Sequence, residues 1–213
     1  MSARTQLPNR VDPFGALVAT PERGLFLGIR GGRFHRSDRT LSARRWASRR
    51  WLVCLCEFKG RKREVWGPGY TQLFFLDEVT AFAAGHRPCF ECRRACAEAF
   101  RDALGFGRLG VDEIDARLHG ERLHGRDKKV SAQDAAALPD GAMVVVGGRP
   151  HAVIGDRIAP WSFDGYGELR PRPRSGVLAT LTPPTILRAL AAGYAPVWAR
   201  RSSPRAATAD RKS

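Results

Sequence analysis

The sequence lacks any apolar run long enough to cross a membrane, and its first residues lack the apolar core of a secretion signal. We therefore expect a cytoplasmic protein with no membrane partner. Cysteine is scarce as well: there are five, an odd number, and all of them lie between Cys54 and Cys96. An odd and clustered set does not suit a disulfide framework, and it favours metal binding in a reducing compartment.

Acidic residues are few relative to basic ones. The 213 residues include 36 Lys and Arg against 21 Asp and Glu, which gives a formal net charge of +15. An excess of this size indicates an anionic partner, with nucleic acid as the first candidate. The alternative interpretation is a compositional bias towards arginine that raises the charge without serving a function.

Two catalytic signatures are also missing. The Gly31-Gly32 pair is not followed by the Gly-Lys-Ser/Thr ending of a phosphate-binding loop, so it is typical of a hairpin turn. His119 and His124 lie near acidic residues, but neither a nucleophile nor a tight metal-ligand spacing accompanies them. We therefore assign no catalytic residue from the sequence.

Basic residues are concentrated in residues 33–63, where tryptophans are interleaved with arginines. Guanidinium groups and indole rings suit phosphate contact and base stacking. The candidate nucleic-acid contacts are Arg44, Arg45, Trp46, Arg49, Arg50, Arg61, Lys62 and Arg63. The alternative is a solvated surface with the tryptophans in the core.

A short helix followed by a Cys-x-x-Cys turn is the most informative motif. Asp77 is a good N-cap, Gly85 suits the left-handed position after a helix, and Pro88 prevents the helix from resuming. Cys89 and Cys92 follow at the spacing that lets two thiolates bind one metal ion. We expect Cys92 to lie near the first turn of the next helix, where the helix dipole lowers the pKa of a thiol.

Residues 73–93 resemble a known zinc module. The most similar part reads Ala81-x-Ala83-Ala84-Gly85-His86-Arg87-Pro88-Cys89-x-x-Cys92. It is similar to the zinc-binding N-terminal domain of Ada-type DNA methylphosphotriester-repair proteins. The resemblance implies zinc as cofactor, DNA as partner, and Cys89 with Cys92 as the family's second ligand pair. The family's first pair lies in a Cys-Arg-Pro-x-Cys stretch and contains its methyl-accepting thiolate. This chain has no such stretch.

The remaining metal ligands must therefore come from elsewhere in the chain. Cys54 is our third ligand and Cys56 the fourth, because a strand over residues 51–58 would place both thiols on one face. His35 is the alternative to Cys56. Two further alternatives are His86, which we interpret as solvent-exposed, and Cys96, which we interpret as a small buried side chain.

The pattern of elements predicts an α+β protein. A small zinc-bound β-hairpin/helix module over residues 1–104 is followed by a β-meander plus helix module over residues 105–199. In the first module, residues 51–58 and 64–66 form the hairpin. In the second, Gly147-Gly148 and Gly155-Asp156 provide two-residue turns of a three-strand meander. Residues 200–213 are expected to be a disordered basic tail.

Three function classes remain open at the level of the sequence. The first is a zinc-stabilised nucleic-acid-binding protein, with DNA favoured over RNA. The second is an enzyme, either an Ada-like thiolate methyl acceptor or a metal-dependent enzyme that acts on nucleic acid. The third is an adaptor whose small modules bind other proteins.

Overall fold

The computed structural model describes residues 6–60, 64–105 and 109–199. The predicted nucleic-acid contacts Arg61, Lys62 and Arg63 lie outside the described residues, and so does the predicted basic tail, residues 200–213.

The first six strands form one mixed sheet. They are β1 (Pro8–Val11), β2 (Leu17–Ala19), β3 (Phe26–Arg30), β4 (Trp51–Leu55), β5 (Leu73–Phe75) and β6 (Arg87–Pro88). Their order across the sheet is β2-β1-β5-β3-β4-β6. The pairs β1–β5 and β4–β6 are parallel, and the other pairs are antiparallel. Because side chains alternate along a strand, Val53, Leu73 and Phe75 reach the same buried cluster.

The hairpin predicted from residues 51–58 and 64–66 does not form. Strand β4 ends at Leu55 and pairs with β3 on one side and with β6 on the other. Both of its edges are therefore occupied, which leaves no place for a returning strand. Residues 64–66 turn instead, and Trp66 donates hydrogen bonds from its backbone N and its Nε1 to Gln72, at 2.8 and 3.0 Å.

In the described ranges, four helices pack beside the sheets. They are α1 (Glu78–Ala83), α2 (Arg94–Ala103), α3 (Val111–Arg122) and α4 (Pro184–Ala191). Helix α1 begins as predicted, since a carboxylate oxygen of Asp77 accepts a hydrogen bond from Thr80 N at 2.8 Å. It ends as predicted too, at Gly85 with φ of +82°.

The C-terminal half adds a small hairpin and a second, larger sheet. The hairpin consists of β7 (Leu123–His124) and β8 (Asp127–Lys128). The larger sheet contains β9 (Ser131–Asp134), β10 (Met143–Val146), β11 (Arg149–Ile154), β12 (Arg157–Ser162), β13 (Gly165–Tyr166), β14 (Arg170–Pro171) and β15 (Val177–Thr180). Its order is β13-β12-β11-β10-β15-β9, and β14 pairs with β12.

The predicted meander is formed by β10, β11 and β12. Val146 pairs with Arg149 and Ile154 with Arg157, so both turns contain two residues, as the glycine pairs indicate. The mixture of helices and mainly antiparallel sheets confirms the α+β class.

Helix α1 lies in the core between the two halves of the chain. Val79 and Ala83 pack in one cluster with residues of the larger sheet, including Met143 and Ala159. Phe82 packs instead with residues of α2, α3 and α4. Hydrophobic contacts therefore join residues on both sides of the boundary predicted at position 104.

Among the helices of the described ranges, none combines the length and the hydropathy that a membrane span requires.

Candidate metal centre

Three of the four predicted cysteine ligands come together. The sulfur atoms of Cys54, Cys89 and Cys92 all lie within 4.8 Å of one another, and all three residues are buried. The parallel pairing of β4 with β6 brings them together, because it places Val53 opposite Pro88. Cys89 N then donates a hydrogen bond to Val53 O at 3.0 Å, which seats the Cys-x-x-Cys turn against Cys54.

Backbone hydrogen bonds fix the turn and reach its sulfur atoms. Arg93 N donates to Cys89 O at 3.0 Å and closes the turn. Glu91 N donates to the Sγ of Cys89, and Leu55 N to the Sγ of Cys92, both at 3.4 Å. Donors of this kind orient thiolate ligands and stabilise their charge. Helix α2 begins at Arg94, so Cys92 lies two residues before its first turn, near the helix start as predicted.

The three cysteines alter one another's pKa through hydrogen bonds between their sulfur atoms. Hydrogen bonds from Cys54 and from Cys92 lower the pKa of Cys89. The hydrogen bond to Cys89 raises the pKa of Cys54. A thiolate held by two neighbouring thiols is an arrangement in which a cation can replace the shared protons, since metals bind thiolates and release protons.

The group therefore fits a metal ion. In a tetrahedral site with metal–sulfur bonds of roughly 2.3 Å, the sulfurs lie about 3.8 Å apart. The three sulfurs, all within 4.8 Å of one another, are compatible with that geometry. Three sulfur ligands select soft or borderline metals over magnesium and calcium, which prefer oxygen. The buried cluster could thus hold one metal ion through Cys54, Cys89 and Cys92.

The predicted fourth ligand, Cys56, lies elsewhere. Strand β4 ends at Leu55, so the alternation that would place Cys56 beside Cys54 does not continue. Cys56 is exposed, and its Sγ donates to Leu25 O at 3.5 Å. In the described part of the chain, no fourth histidine, cysteine or carboxylate joins the group.

The other candidates for a fourth ligand also lie outside the group. His35 is buried, with Nδ1 2.7 Å from Thr71 Oγ1 and Nε2 3.1 Å from Gly67 O. His86 is fully buried rather than exposed, because its ring packs between aromatic side chains and accepts a hydrogen bond from Arg30. Cys96 is half-buried and does not join the three cysteines.

A cavity of about 980 Å³ opens beside the three cysteines, which contribute to its wall. Glu64, Glu91 and Tyr70 also line this cavity. A metal ion held by three protein ligands can take its fourth ligand from solvent or from a bound molecule. The cavity is therefore where such a ligand would enter.

A buried ion pair that the sequence did not predict supports the turn. Arg93, the residue after Cys92, donates to both carboxylate oxygens of Glu78, at 2.6 and 2.9 Å. The same carboxylate accepts from Tyr194 Oη at 2.9 Å and from Val197 N at 3.0 Å. The charged residue directly after the Cys-x-x-Cys motif was a signal for such a partner, but the sequence did not indicate which one.

The predicted basic surface is exposed where the structure describes it. Arg44, Arg45, Arg49 and Arg50 are exposed, and Trp46 is half-buried. Arg50 pairs with Asp112 at 3.0 Å, and both side chains are exposed. The Trp46 ring lies 6.0 Å from that of Trp51 and 5.9 Å from that of His119. Part of Trp46 is therefore covered by its own chain.

Comparison with models of known families, with curated proteins and with solved structures gave no match in any of the three. The similarity to the Ada zinc domain stays a prediction that rests on the motif in residues 73–93.

Proposed function

We propose that this protein is a zinc-stabilised nucleic-acid-binding protein, with DNA as the favoured partner. One observation carries the proposal. Arg44, Arg45 and Arg49 are exposed, and within the described part of the chain none of them has a carboxylate within 4.0 Å. Exposed guanidinium groups without carboxylate partners remain available to phosphates.

The competing interpretation is that these arginines pair with the chain's own acidic groups. Of the four described arginines in the surface, Arg50 alone has such a partner among the described residues, and that pair is exposed on both sides. An exposed pair contributes little, so a phosphate can replace Asp112 at low cost.

The arginines are carried by a segment that is already held in place. Ala47 N donates to Arg30 O at 2.8 Å, and the guanidinium of Arg122 donates to Arg49 O at 2.7 Å. Because the backbone is fixed before a partner arrives, less conformational entropy is lost on binding.

Zinc suits the three-cysteine group better than the common alternatives. It binds thiolates at tetrahedral geometry and carries out no redox chemistry with them. At such a site the binding free energy is also folding free energy, so the metal would stabilise the fold that presents the arginines.

A salt titration of DNA binding tests the proposal. The variant in which Arg44, Arg45, Arg49 and Arg50 are all changed to Ala is compared with the unmodified protein by fluorescence anisotropy. For every phosphate that the variant no longer neutralises, the log–log slope of affinity against salt should become shallower by roughly 0.9 on duplex DNA. Affinity should fall by a similar factor for DNA of any base sequence, because contacts to phosphates do not distinguish one base from another.

The matched control changes four exposed arginines of the second half of the chain to Ala, namely Arg149, Arg157, Arg170 and Arg174. The two variants have the same net charge. If both weaken binding equally, attraction is only general and the proposed surface is wrong. A loss of affinity confined to the first variant supports the surface.

A second candidate, a metal-dependent enzyme acting on nucleic acid, is favoured by the cavity beside the three cysteines. A metal with an open position would supply a polarised water there, and Glu64 or Glu91 would accept its proton. Cobalt-substituted protein tests this directly. Added cyanide should change its visible spectrum if the fourth position is open, and an unchanged spectrum would favour a closed structural site.

A further inference from the structure

A second, smaller cavity has several cationic side chains in its wall. Its volume is about 380 Å³. Within the described residues, its wall contains five cationic side chains and one carboxylate, that of Asp127. The cations are Arg30, Arg45, Arg122, Arg126 and Lys128.

Two of these cations are buried and rest on the same tryptophan. Arg30 is 2% exposed and Arg122 is fully buried. The guanidinium carbon of each lies 4.0 Å from the ring centroid of Trp51. Lys128 is half-buried, and its Nζ donates to Ala83 O.

No carboxylate of the described residues lies within 4.0 Å of Arg30, Arg122 or Lys128. Their partners are instead neutral. Arg30 donates to Gly15 O at 2.9 Å, and Arg122 donates to Gly85 O at 2.9 Å. Buried cations are normally paired with an opposite charge, since an unpaired buried charge is costly.

Two buried polar atoms at this cluster also lack partners among the described residues. Arg122 Nε has no hydrogen-bond acceptor, and His86 Nδ1 has none either. Because Arg30 Nε can only donate, the Nε2 of His86 must accept, which places the histidine's proton on the unpartnered Nδ1. Burial, together with Arg30 and Arg122, lowers the pKa of His86 and keeps its ring neutral.

We propose that Arg30, Arg122 and Lys128 form a binding site for one phosphomonoester group. Such a group carries a charge of about −1.5 to −2 near neutral pH and offers three acceptor oxygens. Those oxygens can accept hydrogen bonds from N–H groups of the two guanidinium groups and the ammonium group that do not already donate to another described residue. A phosphodiester carries one negative charge and has a chain on both sides, so it matches the enclosed cations less well.

The exposed surface of the proposed function adjoins this cavity, because Arg45 and the half-buried Trp46 line its wall. A phosphate that ends a nucleic-acid strand is therefore the carrier we assign, with its terminal base near Trp46. This assignment of the carrier rests on the proposed function, whereas the phosphate site itself does not.

Inorganic phosphate is the first probe. Thermal unfolding is followed in phosphate and in sodium chloride of the same ionic strength. At roughly ten times the dissociation constant, phosphate should raise the unfolding midpoint by about 4 °C over chloride. Phosphate that stabilises no more than chloride would overturn the proposal.

Two variants assign the effect to the cavity. Lys128→Met removes a cation from the wall, and Arg126→Gln does so at an exposed position where folding is not at risk. Lys128→Met should lose most of the phosphate response, and Arg126→Gln, which removes a wall cation outside the three-residue site, should lose part of it. Arg149→Gln, on the larger sheet, should keep the response. If Arg126→Gln and Lys128→Met both respond like the unmodified protein, the site is wrong.

The second probe is a single-stranded oligonucleotide with either a 5′-phosphate or a 5′-hydroxyl group. The phosphorylated form should bind about tenfold more tightly, and Arg126→Gln should reduce that ratio. Stabilisation by inorganic phosphate without any binding of oligonucleotide supports the site and rejects the proposed function. Oligonucleotide binding without any stabilisation by inorganic phosphate rejects the site and supports the proposed function.

Discussion

Replacing Glu78 with Gln tests whether the ion pair beside the cysteines holds the structure together. Glu78 is fully buried, and Arg93 is nearly so, with 3% of its side chain exposed. Glu78→Gln preserves the size of the side chain but removes its charge. It also places an amide donor where an oxygen accepts from Arg93.

The size of the effect follows from the charge of Arg93, which stays when that of Glu78 is removed. Arg93 would stay buried with an uncompensated charge, which costs about 3–5 kcal/mol. In a chain of this size, each kcal/mol lost from the free energy of unfolding lowers the thermal unfolding midpoint by about 2–4 °C. The thermal midpoint should therefore fall by roughly 6–20 °C. Urea unfolding of the metal-loaded protein, followed by circular dichroism, measures the change in free energy of unfolding.

The matched control is Glu98→Gln, which removes an exposed pair. Glu98 lies 3.4 Å from Arg94 on helix α2, and the two side chains are 44% and 69% exposed. The expected decrease in the free energy of unfolding is below about 0.5 kcal/mol. The reasoning is refuted if Glu78→Gln also changes the free energy of unfolding by less than about 1 kcal/mol.

Three further predictions concern the metal, a close contact and pH. Cys54→Ser should reduce the zinc content measured by native mass spectrometry to near zero, whereas Cys56→Ser should leave it at about one per chain, because Cys56 lies outside the group. Gly85→Ala should lower the free energy of unfolding by about 1–3 kcal/mol, since φ is +82° and the new Cβ would lie 2.6 Å from Arg122 Cβ. Burial and the neighbouring Arg122 and Arg30 lower the pKa of Lys128 to about 7. Between pH 7 and 10.5 the unfolded chain therefore binds more protons than the folded chain, and the free energy of unfolding rises with pH. Lys128→Met should therefore stabilise most at pH 7 and below, and urea titrations should show that gain shrinking towards pH 10.

Local signals in the sequence were sufficient for several elements. The Asp77 cap and the left-handed Gly85 were predictable because each depends on a few neighbouring residues. The same holds for the meander, whose two-residue glycine turns set the strand register.

Long-range pairing was the part that local patterns did not contain. The period of two along residues 51–58 gave no indication that β4 ends at Leu55 or that β6 occupies its second edge. The position of Cys56 was wrong for that reason. Cys54 does lie beside Cys89 and Cys92, because its neighbour Val53 pairs with the residue just before Cys89.

The buried cations were missed for a related reason. In the sequence, Arg30 and Arg122 look like any other arginines of a basic chain. An excess of positive charge predicts exposed arginines on a solvated surface, not arginines in a buried site. Only the fold brings them to the same tryptophan, because Arg30 ends β3 while Arg122 ends α3. The prediction of an anionic partner from composition therefore contained no information about where buried cations would meet.

The metal centre and the second half of the chain are linked through the start of helix α1. Glu78 binds both Arg93, beside the cysteines, and Tyr194, after helix α4. The preceding Asp77 accepts a hydrogen bond from Tyr166 Oη at 2.8 Å, in the larger sheet. A metal bound at the Cys-x-x-Cys turn would also fix Arg93, and through these two carboxylates it would stabilise contacts on the far side of α1. The free energy of metal binding at the three cysteines would thus be shared by both halves of the chain.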